Sequence, residues 1–192
     1  MKVFITSFHR CATTSLSYLV KTSLPNPEGN TICDHENYPI NQMPESIEAL
    51  KNKEYSGLLS MSVKYNIFAD SPWFLYYYIF DYMIADAKFI HCPREPEEWF
   101  ESCERYLGSW VQQYGVSPTE KLIYGEKYGD PRGNKTRWLE VYIQHQENIN
   151  NFFKGKDNFL EVDIFGGEKN IEQKVCQFLG EEYKGVKLIK VN

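Results

Sequence analysis

The chain has 192 residues, of which 42% are hydrophobic and 16% aromatic, and its formal net charge is −5. This composition excludes an intrinsically disordered chain, predicts one folded domain over residues 1–192, and argues against a protein that coats nucleic acid through a basic surface. The five cysteines form no C-x-x-C pair and no zinc spacing, which favours reduced thiols in a cytoplasm.

The first part of the chain predicts a strand, a helix and a long loop. Residues 2–7 are β-branched and aromatic and predict a buried strand, and residues 13–23 predict a helix. Residues 24–46 predict a long loop, with a short helix from Pro44 and a second strand from Gly57. Because a strand is predicted directly after Met1, we expect no signal peptide, and no apolar run approaches the roughly 20 residues that span a bilayer.

The middle of the chain predicts two helices around a short strand. A helix is expected from Ser71, which would cap it, with Pro72 at its first position. Lys88–Cys92 predict a buried strand, and Pro96 begins a further helix with two Glu in its first turn. Residues 114–135 are rich in Gly, Pro, Tyr and charge and predict a loop or lid.

The last part of the chain completes an alternation of strands and helices. A long amphipathic helix is predicted from Arg137, a strand from Asn158, and a closing helix that stops at Gly180. The alternation predicts an α/β fold with three layers, a parallel sheet between helices on both faces. Ligands bind at the carboxyl ends of such strands, where two strand-to-helix junctions lie, over residues 7–14 and 93–102.

The first junction, FITSFHRCATTSL, has the pattern of an anion-binding turn. Backbone N–H groups at the start of its helix have no partner within the helix, and the helix dipole adds partial positive charge. An arginine in the turn adds a full charge and a fork of donors. The residues predicted to hold a phosphate or sulfate are Arg10, Cys11, Ala12, Thr13, Thr14 and Ser15. The alternative is an ordinary helix start with an exposed arginine.

The second junction, FIHCPREPEEWFES, predicts a second anion contact. Arg94 follows a strand end, and Ser102 lies about two turns into the next helix, where it would reach the same group. The alternative is that Arg94 pairs on the surface with Glu97 or Glu98.

The two junctions together resemble segments of the sulfotransferases that use 3′-phosphoadenosine-5′-phosphosulfate (PAPS). FITSFHRCATTSL is similar to their 5′-phosphosulfate loop, and PREPEEWFES to their 3′-phosphate segment, which has an Arg and a Ser eight residues apart. ADSPWFLYY, VYIQHQENI and FLEVDIFGGEKNIEQKVCQFLG resemble later segments of the branch with short chains, in the same order.

The resemblance implies a P-loop NTPase-like fold and a sulfuryl transfer from PAPS to a hydroxyl or amine of a carbohydrate or small molecule. The product would be adenosine 3′,5′-bisphosphate, and no metal is expected. Arg10 falls on the family's basic position, Thr13 and Thr14 on the 5′-phosphate residues, and Arg94 and Ser102 on the 3′-phosphate pair.

Three residues depart from the family's loop. Ser7, His9 and Ala12 stand where Gly, Pro and Gly are usual, and a Gly in place of Ala12 would allow positive φ or a close backbone approach. A nucleotide-binding module without turnover is therefore kept as an alternative function. A nucleotide kinase or hydrolase is disfavoured, because the loop lacks the Lys that such enzymes place on the phosphates.

The general base has several candidates. The stretch CDHEN groups Asp34, His35 and Glu36, of which Glu36 and His35 are equally preferred, unless this is a plain polar loop. Asp70 is a further candidate, with a simple helix cap as the alternative. His9 either orients the sulfate or packs under the loop.

Aromatic residues cluster in residues 103–135, which are predicted to form an acceptor-side lid or insertion. They either stack on a sugar or aromatic acceptor or form a plain surface excursion. His145 lies on the apolar side of its helix and is predicted to be structural and hydrogen-bonded. The aromatic residues are Tyr106, Trp110, Tyr114, Tyr124 and Tyr128.

Overall fold

Five short parallel strands form one sheet in the computed structural model, which describes residues 1–29, 31–33 and 44–189. Their order across the sheet is β2-β3-β1-β4-β5, and every neighbouring pair is parallel. The predicted α/β fold with a parallel sheet is thus confirmed. The strands are β1 (Lys2–Ile5), β2 (Ile32–Cys33), β3 (Ile67–Phe68), β4 (Ala87–His91) and β5 (Phe159–Glu161).

Eight α-helices flank the sheet within the described ranges, and none of them is long and apolar enough to cross a membrane. Helices α1 and α8 cover one face, and α3, α4 and α7 pack on the other. The helices are α1 (Thr13–Ser23), α2 (Pro44–Lys51), α3 (Ser56–Lys64), α4 (Tyr77–Met83), α5 (Pro96–Tyr114), α6 (Pro118–Tyr124), α7 (Lys135–Phe153) and α8 (Ile171–Leu179).

Strand β1 shows why the sheet is buried on both sides. Val3 and Ile5 pack toward α1 and α8, whereas Phe4 points the other way and stacks on Phe68 and Phe80, with ring centroids 4.6 and 4.4 Å away. Both faces of a parallel sheet are normally covered in this way, and the apolar run of β1 reflects it.

The strand order places a crevice between β1 and β4. These strands are neighbours, with Ile5 opposite Ile90, but the chain leaves β1 toward β2 on one side and leaves β4 toward β5 on the other. The two connections therefore diverge at the carboxyl ends of β1 and β4, which is where parallel sheets bind ligands. Both predicted junctions begin at this point.

The strand predicted from Gly57 is wrong, because this segment is part of α3 and β3 lies later, at Ile67–Phe68. Its leucines and methionine are good helix formers, and only Leu58 of its side chains is fully buried, which suits a helix at the edge of the core. A short apolar run does not by itself distinguish the two structures.

The helix predicted from Ser71 begins later than expected. A short 3₁₀ turn covers Trp73–Leu75, and α4 starts only at Tyr77. Ser71 does not cap it, because the N-cap position is Tyr76; the N–H of Ser71 donates to the carboxylate of Asp70, at 2.8 Å, within the preceding turn.

The loop predicted over residues 114–135 is only partly a loop, since α5 continues to Tyr114 and α6 follows. Ser117 caps α6 by accepting a hydrogen bond from the N–H of Glu120. The Ser-Pro-x-Glu pattern of a helix start is present in the sequence and was the missed signal.

Candidate functional site

The first junction is a tight turn that leaves the start of α1 open. Arg10 and Ala12 both have left-handed backbone angles, with φ of 63° and 57°, and the N–H of Cys11 closes the turn on the carbonyl of Phe8 at 3.1 Å. Helix α1 has no side-chain cap and no acidic residue in its first turn. The first-turn N–H groups of Thr13 and Thr14 therefore have no acceptor within the helix.

Ala12 adopts the backbone conformation that a Gly would favour. A left-handed angle costs an L-residue with a Cβ about 1–2 kcal/mol. Ala12 thus takes, at this cost, the positive φ that a Gly would allow.

Arg10 reaches from the first junction to α5. Its Nε–H donates to the hydroxyl of Ser102 at 3.2 Å, and its guanidinium lies 4.4 Å from the ring centroid of Tyr106. Ser102 is buried, so this contact fixes the arginine against the helix. The structure therefore brings Ser102 to Arg10, whereas the sequence paired Ser102 with Arg94.

Arg94 points back toward the first junction. One terminal N–H donates to the carbonyl of Arg10 at 3.2 Å, and the guanidinium lies 4.5 Å from the ring centroid of Phe165. Its Nε is buried and has no acceptor among the described residues. A buried N–H of a cation without an acceptor is the group that an anionic oxygen would satisfy, so the residues present fit a bound phosphate.

The surface alternative for Arg94 does not apply, because no ion pair joins it to the acids at the start of α5 in the described ranges. Glu97 instead pairs with Lys135 at 2.6 Å. The side chain of Glu95 accepts the N–H of Glu98 at 3.0 Å and caps the helix. The N-terminus of α5 is thus capped by the carboxylate of Glu95.

Side-chain hydrogen bonds join the two strand ends beneath the junctions. The hydroxyl of Ser7 accepts the N–H of Cys92 at 2.7 Å, so the residue that replaces a Gly of the family's loop bridges both junctions. The hydroxyl of Thr6 lies 3.3 Å from Nδ1 of His91.

His145, on α7, adds a further buried hydrogen bond beneath the junctions. Its Nε2 donates to the carbonyl of Thr6 at 2.9 Å, which agrees with the structural role predicted for it. Burial lowers the pKa of His91 to about 4 and that of His145 to about 3, from an ordinary 6.5. Both rings therefore stay neutral near pH 7.

His9 is buried under the loop. Its Nε2 is 2.7 Å from the hydroxyl of Tyr124, and its carbonyl accepts the indole N–H of Trp99 at 3.0 Å. This placement corresponds to the packing alternative, and a role of His9 on the sulfate stays a prediction.

Four of the five predicted aromatic residues fall into two groups, and the fifth, Tyr128, is half-exposed between α6 and α7. Tyr124 is fully buried and stacks on Trp138, with centroids 3.6 Å apart, so it presents no ring to an acceptor. Along α5, three rings are instead exposed at a spacing of four residues, and those of Trp110 and Tyr114 lie 4.7 Å apart. The three are Tyr106, Trp110 and Tyr114, which are 47%, 53% and 64% exposed.

One cavity, of about 520 Å³, opens on the side of α6 and α7. Tyr128, Asn134, Arg137 and Glu140 are among the residues that line it. Its volume falls within the range of about 300–1,000 Å³ that is usual for small-molecule sites.

Asp70 lies at the carboxyl end of β3, next to the first junction. Its φ is 65°, and its carboxylate accepts the N–H of Ser71 within its own turn. Its negative charge makes a small contribution to the raised pKa of Cys11, whose main cause is burial, so the carboxylate lies within electrostatic range of the first junction. Asp34, His35 and Glu36 lie outside the described residues.

Sequence reasoning missed Tyr142 as a residue of the site. Its hydroxyl bonds to the backbone of Arg94 and lies 3.8 Å from the sulfur of Cys11. The signal in the sequence was the stretch VYIQHQENI, which is similar to the family's Tyr-x-x-His helix and places Tyr142 three residues before His145, on the same face of a helix. Among the described residues, no cluster of three or more His, Cys, Asp or Glu side chains is placed to hold a metal ion.

Comparison with known proteins gave one family. A model described as a sulfotransferase domain matches residues 2–187. None of the curated proteins compared with the chain matches it.

Proposed function

Because this chain belongs to the sulfotransferase family, we propose that it transfers a sulfuryl group from PAPS to a hydroxyl or amine of a small-molecule or carbohydrate acceptor. Its parallel sheet between layers of helices is consistent with the P-loop-like fold of that family. The observation that carries the proposal is the meeting of an uncapped helix start with two arginines at the crevice between β1 and β4.

The donor would be held at its two phosphate-bearing ends. The first-turn N–H groups at Thr13 and Thr14 would bind the 5′-phosphate, helped by the partial positive charge of α1. Arg94 would bind the 3′-phosphate, and a role of Ser102 at this phosphate stays a prediction, because its hydroxyl contacts Arg10. The support for this assignment is the buried Nε–H of Arg94, which has no acceptor in the described part of the chain.

The transfer forms a bond between sulfur and the acceptor oxygen or nitrogen, and it breaks the bond between sulfur and the oxygen of the 5′-phosphate. Adenosine 3′,5′-bisphosphate leaves, and the acceptor's proton passes to a base. A loose transition state collects negative charge on the leaving oxygen, which positioned cations stabilise. Arg10 would supply the stabilising positive charge, because its side chain is held in place by Ser102 and Tyr106.

Asp70 is the described candidate for the base. It follows β3, the neighbour of β1, and so lies at the same edge of the sheet as the anion loop. Glu36 and His35 remain predictions. The variants Asp70→Asn, Glu36→Gln and His35→Asn separate the three: the base is the residue whose change removes turnover at saturating donor while donor affinity stays within about twofold.

The acceptor is proposed to approach over residues 103–135, acting as an acceptor-side part of a single domain over residues 1–192. The exposed rings of α5 support this, because they begin at Tyr106, which contacts Arg10. Exposed aromatic faces suit the ring of a sugar or an aromatic acceptor.

A reducing compartment such as the cytoplasm is proposed for the protein. Its support is that Cys11, Cys92, Cys103 and Cys176 are unpaired and buried.

Thermal unfolding with added ligands tests the function. Adenosine 3′,5′-bisphosphate should raise the melting temperature, whereas ATP with magnesium should not, since a ligand that binds the folded state stabilises it. A preference for magnesium-ATP would contradict the proposal. Turnover of PAPS with a panel of hydroxyl and amine acceptors then separates an enzyme from a module that only binds.

A further inference from the structure

One hydroxyl group, that of Tyr142, contacts both junctions. Its oxygen accepts the N–H of Arg94 at 2.8 Å, donates to the carbonyl of the same residue at 2.7 Å, and lies 3.8 Å from the sulfur of Cys11. Arg94 belongs to the junction after β4, and Cys11 to the turn after β1. No intervening side chain is needed to connect the two turns.

The ring that carries this hydroxyl is fixed in place. It stacks on Trp99, with centroids 4.2 Å apart and planes 10° from parallel, and meets the ring of Phe8 edge-on. Tyr142 is fully buried, so its hydroxyl has one defined position. One turn further along α7, His145 holds the carbonyl of Thr6 below the same loop.

We propose that Tyr142 is a positioning residue that sets the distance between the two phosphate-binding junctions. It would act through the backbone of Arg94, which it holds at both the N–H and the carbonyl, and so direct the guanidinium toward the first junction. A donor with a phosphate at each end gains from both contacts only if their separation matches its own. This inference rests on the proposed function.

The test compares a ligand that has both phosphates with one that has a single phosphate. Tyr142→Phe keeps the stacked ring and removes only the hydroxyl. Dissociation constants for adenosine 3′,5′-bisphosphate and for adenosine 5′-monophosphate are measured by calorimetry. The bisphosphate should bind about 10-fold more weakly, as expected for losing a hydrogen bond near a charged group. The monophosphate should change by less than about twofold.

Tyr77→Phe is the matched control. Tyr77 is also buried, but it packs against Phe152 and Phe153, in the aromatic core around α4 and α7. Its variant should leave the ratio of the two dissociation constants unchanged. An unchanged ratio in Tyr142→Phe, or an equal loss for both ligands, would overturn the inference, since a merely structural tyrosine would affect both ligands alike.

A double-mutant cycle with Arg94→Ala gives a second readout. If Tyr142 acts through Arg94, its variant should cost little further affinity for the bisphosphate once Arg94 is gone, and additive losses would contradict the inference. A wild-type protein that binds the bisphosphate no better than the monophosphate would overturn the proposed donor site, and this inference with it. A normal wild-type preference with an unchanged ratio in the variant would overturn the inference alone.

Discussion

The starts of helices α1 and α5 follow neighbouring parallel strands, yet they are built in opposite ways. Helix α5 is capped by the carboxylate of Glu95 and carries Glu97 and Glu98 in its first turn. Helix α1 begins after Ala12 with no side-chain cap and no acid. The two helix starts occupy equivalent positions in the fold, but the electric field at the acid-bearing start of α5 disfavours an anion. Only the start of α1 favours an anion.

If the proposed donor binds here, the two junctions would hold its anionic groups by different means. At the first, backbone N–H groups and the helix dipole are available. At the second, the helix end is already satisfied, so the contact depends on the side chain of Arg94, which turns away from its own helix toward the carbonyl of Arg10. The predictions below alter one junction at a time.

The largest effect on ligand binding is expected from placing an acidic side chain in the first turn of α1, where α5 already has acidic residues. Thr14→Glu places a carboxylate in the first turn, on an exposed side chain. Two like charges about 4 Å apart repel by about 4 kcal/mol at an effective dielectric constant of about 20, so calorimetry should show bisphosphate binding about 10³-fold weaker. The unliganded protein should become more stable by about 0.3–1 kcal/mol, measured by denaturant unfolding.

Thr14→Gln is the neutral control and should keep most of the affinity. A Thr14→Glu protein that still binds the bisphosphate would show that the open start of α1 is not the anion site.

Removal of Arg10 is expected to be nearly as severe. Arg10→Ala should lower kcat/KM for sulfuryl transfer by about 10²–10³-fold, because a positioned charge acts most strongly where charge develops in the transition state. Arg105→Ala removes an exposed arginine of α5 and should leave kcat/KM within about twofold. Equal rates in both variants would contradict the assignment of Arg10.

The two buried histidines beneath the junctions, His91 and His145, should make the stability of the folded protein decrease in acid. The pKa values of His91 and His145 are lowered to about 4 and about 3, so below pH 6.5 the unfolded chain binds protons that the folded chain does not. Their contribution to stability is complete above pH 6.5 and is lost as pH falls toward 4, by about 2.7 kcal/mol per pH unit for the two groups together.

Urea unfolding at pH 7, 6, 5.5 and 5 measures this slope. His91→Gln should reduce it by half, because one of the two groups no longer titrates. A stability that does not change over this range would contradict the buried, neutral state of the pair.

Arg94→Ala is expected to act on one end of the donor. Hydrogen bonds to charged groups are worth about 1.5–3 kcal/mol, so the bisphosphate should bind roughly 10–100-fold more weakly in calorimetry, and adenosine 5′-monophosphate should be unaffected. The melting temperature should change little, since Tyr142 holds the backbone of residue 94 rather than its side chain. Unchanged bisphosphate binding would place the 3′-phosphate elsewhere.

The smallest effect is expected at the capped helix. Glu95→Ala should cost about 1 kcal/mol of unfolding free energy through loss of the cap, measured by denaturant unfolding. Bisphosphate affinity should stay within about twofold. A large loss of affinity would mean that the start of α5 also takes part in binding.

Local patterns in the sequence predicted much of the fold. The bounds of α1 agree with the prediction, and β4 and the start of α5 lie within one residue of theirs, because apolar periodicity, Pro at a helix start and flanking acids are local signals. The strand predicted from Gly57 failed because a short apolar run fits either structure until the rest of the core is known.

The sequence predicted the two arginines of the candidate site but not the contacts that hold them in place. Arg10 and Arg94 were identified from the two junctions, and both lie at the crevice. The contact between Arg10 and Ser102 and the bonds from Tyr142 to Arg94 span 92 and 48 residues, and such contacts depend on how the helices pack. The expected roles of His35 and Glu36 remain predictions.

The indole of Trp99 has a spectroscopic consequence. It donates to the carbonyl of His9 in the first junction, and its face covers Tyr142, which contacts the second, so Trp99 is linked to both junctions from a fully buried position. Its emission would respond to small changes in loop geometry while it stays shielded from dissolved quenchers, whereas the half-exposed Trp110 remains open to them. If the proposed donor binds at this crevice, part of the intrinsic emission, to which the buried Trp73 and Trp138 also contribute, should report its occupancy with no label attached.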